Sequence, residues 1–264
     1  MIVMKRYAWL TDIHLNFIPA AAIDALADRA CADVDLIVVS GDIAEAPSLE
    51  SAWGRFIERS SVPVYWVLGN HDFYHGSISE VRARASTMPG YLPTVGVVDL
   101  GEGWALAGHD GWGDARLGNV LETPIQLNDF RLIAELQGLS RPRLVERLRA
   151  LGDEAAEATR RALAEVATSF RGLVWVTHVP PFQEACWYEG STSHHDWLPF
   201  FTCKAMGDAL RQAAEAYPAL DISVLCGHTH SPGSAQLMPN LSALTGAAEY
   251  GRPRVERVLV VPPE

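Results

Sequence analysis

The sequence predicts an α/β domain built on buried parallel strands, and three observations carry that expectation. Near-continuous apolar runs at 35–40, 62–68 and 222–226 are the mark of strands covered on both faces. Helical stretches alternate with the first of these runs, which is the β-α-β-α-β order of an open sheet. Each run stops at a short polar motif rich in His, Asp, Asn and Gly.

Lys5 to Thr11 reads as the first strand and leads into Asp12-Ile13-His14. Pro19 then opens an alanine-rich helix over 20–32, where its missing N–H does no harm. The run 35–40 ends in Gly41-Asp42, a helix follows over 47–59, and the strand 62–68 ends in Gly69-Asn70-His71-Asp72. A short helix is expected at 77–86, with strands at 95–100 and 104–108 joined by the turn Gly101-Glu102-Gly103. The segment 153–170 has helical periodicity and alternating charge, as a surface helix does.

The buried strand 173–176 ends at Thr177-His178, and residues 182–203 then lose any clean period. Aromatic residues there (Phe182, Trp187, Tyr188, Trp197, Phe200, Phe201) alternate with Glu184, Glu189, His194, His195 and Asp196. This reads as a long loop packed on itself, with small helical turns, and loops of that length tend to be functional. A helix over 204–217 precedes the strand 222–226 and Gly227-His228-Thr229-His230. The stretches 236–238, 241–245 and 255–261 read as antiparallel strands closing a second sheet. With no repeat, low-complexity tract or linker, the 264 residues are expected to form one domain.

Composition narrows the function. A formal net charge of −11 disfavours passive binding to nucleic acid polymers or anionic membranes. The four cysteines (Cys31, Cys186, Cys203, Cys226) include no CxxC pair, so neither a disulfide framework nor a thiolate zinc site is expected. The chain shows neither an apolar signal segment nor a run able to span a bilayer, and a cytoplasmic protein is the default.

The polar motifs carry the chemistry. An Asp-x-His or a Gly-Asp alone is an ordinary strand end or turn. Asn70 offers an amide oxygen, and His71 an imidazole of the kind that exchanges a proton near neutral pH. In Gly227-His228-Thr229-His230, alternation puts both imidazoles on one side of an extended backbone. Five successive strand ends bearing such residues point to a metal site assembled from the whole chain.

The ordered series Asp12-x-His14, Gly41-Asp42-x-x-Glu45, Gly69-Asn70-His71-Asp72, His178 and Gly227-His228-x-His230 resembles the calcineurin-like metallophosphoesterase superfamily, with none of its five blocks missing. The resemblance implies a four-layer α-β-β-α sandwich with two mixed β-sheets and a binuclear metal centre. It implies that Asp12, His14 and His230 hold one ion, that Asn70, His178 and His228 hold the other, and that Asp42 bridges them. Such ligands suit Mn, Fe or Zn. The expected reaction is hydrolysis of a phosphate ester by a bridging hydroxide, with His71 protonating the leaving group and Asp72 orienting His71.

A phosphodiester of a small or cyclic nucleotide kind is the first expectation. A phosphomonoesterase or pyrophosphohydrolase acting on a small metabolite is the alternative, and a scaffold that keeps its metals without catalysis is the third reading. Glu45 is expected to support or cap the site. His194 and His195 are candidates to touch substrate, and Arg116 and Arg131 to clamp a phosphate. His75 is expected to be an exposed loop histidine, and His109 is open between a structural hydrogen-bond partner and a site residue. The metal pair, the substrate and the oligomeric state are not set by the motifs.

Overall fold

Alternation within the strands divides the core into three clusters and thereby sets the layers. The computed structural model describes residues 4–261. The chain begins with β1 (Lys5–Leu10), α1 (Ala20–Ala30), β2 (Leu36–Ser40), α2 (Leu49–Arg59), β3 (Val64–Val67), α3 (Ile78–Ala85), α4 (Leu92–Val95), β4 (Val98–Gly101) and β5 (Trp104–Gly108). It continues with α5 (Asp129–Leu132), α6 (Arg141–Ser169) and β6 (Gly172–Val176). A small hairpin of β7 (Trp187–Tyr188) and β8 (Ser191–Thr192) precedes α7 (Leu198–Phe201) and α8 (Lys204–Ala216). The last strands are β9 (Asp221–Cys226), β10 (Gly233–Met238), β11 (Leu241–Thr245) and β12 (Arg257–Val261).

One sheet has the order β12-β1-β2-β3, with β1, β2 and β3 parallel and β12 antiparallel at the edge. The other has the order β10-β11-β9-β6-β5-β4, parallel through its middle and antiparallel at both edges. Tyr7, Trp9, Leu36 and Val38 of the first sheet meet Leu106, Val174, Val176 and Leu225 of the second in the seam between them. Their neighbours Ala8, Leu10, Ile37 and Val39 face the opposite way, packing with Ile23, Leu26, Trp53 and Phe56 of α1 and α2. On the far side, Leu173, Trp175, Ile222 and Val224 pack with Leu163, Val166, Met206 and Leu210 of α6 and α8. The layers run helix, sheet, sheet, helix. Trp9, Trp53, Trp66 and Trp175 are all fully buried, and truncating any one to alanine is expected to cost about 3–5 kcal/mol.

The structure departs from the sequence expectation in three places. Helix α6 starts at Arg141 and runs 29 residues rather than beginning near 153. Pro142 lies in its first turn, where proline is tolerated, and Gly152 is no break: a Cβ there would come within 2.4 Å of the Asp114 Cβ. The helix needs a glycine to pass that close. The terminal strands do not all close the second sheet. β11 runs parallel to β9, and β12 crosses to pair with β1 in the first sheet. Finally, 182–203 packs on itself as expected, with the short helical turn α7 and with Phe182, Cys186, Phe200 and Cys203 buried, but it also contains the β7–β8 hairpin, which was not expected.

Among the described residues no helix is long and apolar enough to cross a membrane. All four cysteines are free, three of them buried, and burial raises the Cys203 and Cys226 thiols to about 12.

Candidate metal centre

The polar motifs follow the carboxyl ends of β1, β2 and β3 in one sheet and of β6 and β9 in the other. That edge is where open α/β sheets place their ligands. The backbone there is bent in an uncommon way. Asp12, His14, Asp42, His228 and His230 all have left-handed φ values, between 40° and 71°. For a residue with a Cβ this costs about 1–2 kcal/mol, and glycine, which would relieve it, carries no ligand atom. Interlocking hydrogen bonds hold the turns. Asp12 N–H donates to the Gly41 carbonyl and His14 N–H to the Asp42 carbonyl, both at 3.0 Å. His228 N–H donates to Asp12 Oδ1 at 3.1 Å, tying the last motif to the first.

Two groups of donors result. Single donor atoms of Asp12, His14, Asp42 and His230 lie within 4.8 Å of one another. Here His230 Nε2 is 3.2 Å from Asp12 Oδ1 and 3.4 Å from His14 Nε2. In the second group Asn70 Oδ1 is 3.1 Å from His178 Nε2 and 2.9 Å from His228 Nδ1. Asp42 stands between them. Its Oδ2 is 3.8 Å from His14 Nε2, and its Oδ1 is 3.3 Å from His178 Nε2.

Several side chains aim these donors. His178 Nδ1 donates to the Ser40 carbonyl at 2.9 Å, which directs Nε2 toward Asn70 and Asp42. The Asn70 amide nitrogen donates to Asp129 Oδ1 at 3.0 Å, so its oxygen faces the histidines. Tyr74 donates to the same Asp129 oxygen at 2.7 Å. Asp129 and Tyr74 were missed in the sequence, because both lie outside the strand-end motifs and 109–128 has no period to follow.

The electrostatics fit a metal pair. Asp12 and Asp42 are 2% and 1% exposed, and among the described residues neither pairs with a lysine or arginine. Burial alone would push both carboxyls up. The neighbouring imidazoles, His178 first, outweigh it, bringing Asp12 down to about 2 and Asp42 well below the usual carboxylate range. Burial likewise opposes a charged His178, but Asp42 and Asp12 raise it to about 10. A bound cation would take the place of that proton. Burial lowers His14 to about 4 and His228 to about 3, leaving both imidazoles neutral, as ligands must be. Two buried carboxylates with no fixed cation among the described residues, ringed by imidazoles and an amide oxygen, form a donor set that fits metal ions.

His71 points from this cluster into a cavity of about 390 Å³. Its Nε2 is 3.9 Å from Asp42 Oδ2, and its ring packs 4.2 Å from Tyr74 and 4.8 Å from His14 between centroids. Among the described residues Asp72 makes no hydrogen bond to the His71 ring. The Asp72 carboxylate is fully buried and accepts the N–H groups of Ile43 and Ala44 at 2.8 Å and of Gly69 at 2.7 Å. It fastens the turn after β2 to the turn after β3. Burial and the nearby charge of Asp42 push its carboxyl upward, against the pull of those amides.

Tyr188, Ser193, Trp197 and Phe201 from 182–203 line the cavity, with Gln126, Asn128, Thr229 and Tyr250. Phe201 lies 4.6 Å from His228 and 5.1 Å from Trp197, so an aromatic wall leads away from the donors. No described lysine or arginine lines the cavity. Arg116 pairs instead with Asp114 and Asp153, and Arg131 is absent from the lining. His194 and His195 are exposed beside Asp196, and His75 pairs with Glu45 at 3.8 Å. His109 is buried away from the cluster, where its Nδ1 accepts the Gly111 N–H and burial lowers it to about 4.

Residues 5–232 match the family model described as calcineurin-like phosphoesterase. No curated protein matches the sequence. Among solved structures, the chain is similar to a phosphopantetheinyl hydrolase from Mycobacterium tuberculosis, with 15% identity, 98% of this chain and 96% of that one covered, and a TM-score of 0.71. It is also similar to a dimetal phosphatase from Danio rerio, at 13% identity, with 94% and 89% covered and a TM-score of 0.61. A third likeness is to the anchor of the inner membrane complex in Plasmodium, at 12% identity, with 98% and 77% covered and a TM-score of 0.52. At these identities the likeness is one of fold.

Proposed function

The chain belongs to the calcineurin-like phosphoesterase family of metal-dependent phosphoester hydrolases, and from that premise we propose that it hydrolyses a small phosphodiester. The observation that carries the choice is the absence of any described lysine or arginine from the cavity. A phosphomonoester or pyrophosphate brings more negative charge toward Asp42, and a site for it would set cationic side chains beside the metals. A diester brings one charge, and its second ester group is uncharged. Tyr188, Trp197 and Phe201 supply a surface against which such a group packs.

In this reading Asp12, His14 and His230 would hold one metal ion, and Asn70, His178 and His228 would hold the other. Asp42, whose carboxylate stands between His14 and His178, would serve both. Two bound ions would neutralise phosphoryl charge and acidify a water for in-line attack. The chain's own groups do the rest. Asp129 keeps the Asn70 oxygen turned inward, and Tyr74 keeps the His71 ring from swinging away. His71 delivers a proton to the departing ester oxygen from the cavity side.

Mn, Fe and Zn all suit the donors. A cavity of about 390 Å³ and a net charge of −11 favour a small ester over a nucleic acid polymer. Four free thiols favour a reducing, cytoplasmic setting. The test is the ratio of initial rates on bis(p-nitrophenyl) phosphate and p-nitrophenyl phosphate with protein stripped of metal and reloaded with manganese. The proposal expects a ratio well above one. A ratio well below one would overturn the diester assignment in favour of a monoesterase.

A further inference from the structure

The connection from β11 to β12 crosses between the sheets and passes the mouth of the cavity. It is held there by its own bonds. Ala248 N–H donates to the His230 carbonyl at 3.2 Å, and Arg252 N–H donates to the Glu249 carbonyl at 3.0 Å, closing a turn. Gly251 takes the left-handed φ of 75° that the turn requires. The turn presents Tyr250. Its ring lies 4.5 Å from His14, 5.1 Å from His230 and 6.1 Å from His71, and Phe17 packs on it at 5.4 Å.

The cavity lacks cationic side chains, so a bound phosphoryl group needs neutral donors besides the metals and His71. The hydroxyls available can be sorted. Tyr74 is engaged with Asp129, and the Ser193 hydroxyl accepts from the Cys186 thiol at 3.3 Å. Thr229 is 4% exposed and its Oγ1 is sealed from solvent. Tyr188 touches no ring of the donor cluster among the described residues. Tyr250 is 49% exposed, lines the cavity, and has no described hydrogen-bond partner for its hydroxyl. Among the described residues it alone combines a free hydroxyl with ring contacts to His14, His71 and His230.

We propose that Tyr250 is a substrate-binding residue whose hydroxyl donates to a phosphoryl oxygen beside His71. The inference rests on the phosphoester reading of this cavity. The ring packing positions the phenol, and a phenol is a donor throughout the neutral range. Tyr250→Phe keeps the ring and its contacts while removing only the hydroxyl.

The deciding measurement is the affinity of manganese-loaded protein for inorganic phosphate, by calorimetry, in wild type and Tyr250→Phe, with metal content measured on both. A hydrogen bond to an anionic oxygen predicts that Tyr250→Phe binds phosphate about tenfold to a hundredfold more weakly at unchanged metal content. Equal phosphate affinity would overturn the proposal. Weaker binding accompanied by loss of metal would overturn it too, because the hydroxyl would then serve the ligands rather than the anion. Wild-type turnover of bis(p-nitrophenyl) phosphate separates the two readings. A failure there removes the diester assignment and leaves the phosphate result to judge Tyr250.

Discussion

Replacing Asp72 with asparagine should weaken the fold more than the chemistry. Three backbone N–H groups end on its carboxylate, two on Oδ1 and one on Oδ2, at 2.7–2.8 Å in a fully buried setting. The amide oxygen of asparagine can keep the Ile43 and Ala44 donors. Its NH₂ group then faces the Gly69 N–H, donor against donor. One buried N–H left unpaired costs about 1–3 kcal/mol, and the crowding of two donors places the total near the upper end of that range. Alanine would orphan all three donors, so its cost should be about 3–9 kcal/mol, a large share of the roughly 5–15 kcal/mol that stabilises a domain. The assay is urea unfolding of metal-free protein. With a slope of about 2–3 kcal/mol/M, Asp72→Asn should lower the midpoint by about 1 M. An unchanged midpoint, together with a rate loss concentrated on poor leaving groups, would refute the reasoning and return Asp72 to a role behind His71.

Other substitutions separate the parts of the site. His71→Ala should keep its metal content and lose about 10²–10⁴ in rate on poor leaving groups; equal losses on good and poor leaving groups would count against proton delivery. Asp129→Ala frees the Asn70 amide to turn, and should weaken one metal site by about 10–100-fold in a chelator competition while sparing the other. Two sites weakened equally would contradict the division of donors. Acid should destabilise the protein through His109, which stays neutral in the native state down to about pH 4 while the unfolded residue takes a proton near 6.5. Its contribution is therefore fully present above about 6.5 and is lost as pH falls toward about 4, on the order of 3 kcal/mol in all. His109→Gln, which can still accept from Gly111, should flatten the stability profile across that window, and an unaltered slope would rule this histidine out.

Strand ends were legible because two signals coincide there: an apolar run announces the strand, and the polar residues after it have no reason to be in a core. All seven metal-ligand candidates lie at such places, and the structure gathers them. What was illegible depends on partners distant in sequence. Asp72 looks like a companion of its neighbour His71, yet its donors come from 43–44 and 69. Asp129 meets Asn70 across 59 residues, and Tyr250 reaches the cavity because β12 crosses to the first sheet. No local pattern marks that crossing. The early start of α6 was illegible for a similar reason, since the place of Gly152 within it depends on the closeness of Asp114, 38 residues away.

The seam between the sheets gives the metal pair a mechanical role. Each proposed ion would take ligands from both sheets: Asp12 and His14 against His230 for one, Asn70 against His178 and His228 for the other, with Asp42 serving both. The seam is closed along its length by apolar side chains, which resist separation but allow sliding. Two ions at its open edge act as rivets, and rivets resist shear. Tightness of metal binding and registry of the two sheets are then one mechanical property, and a misfit deep in the seam, far from any ligand, would show itself first as a loose ion.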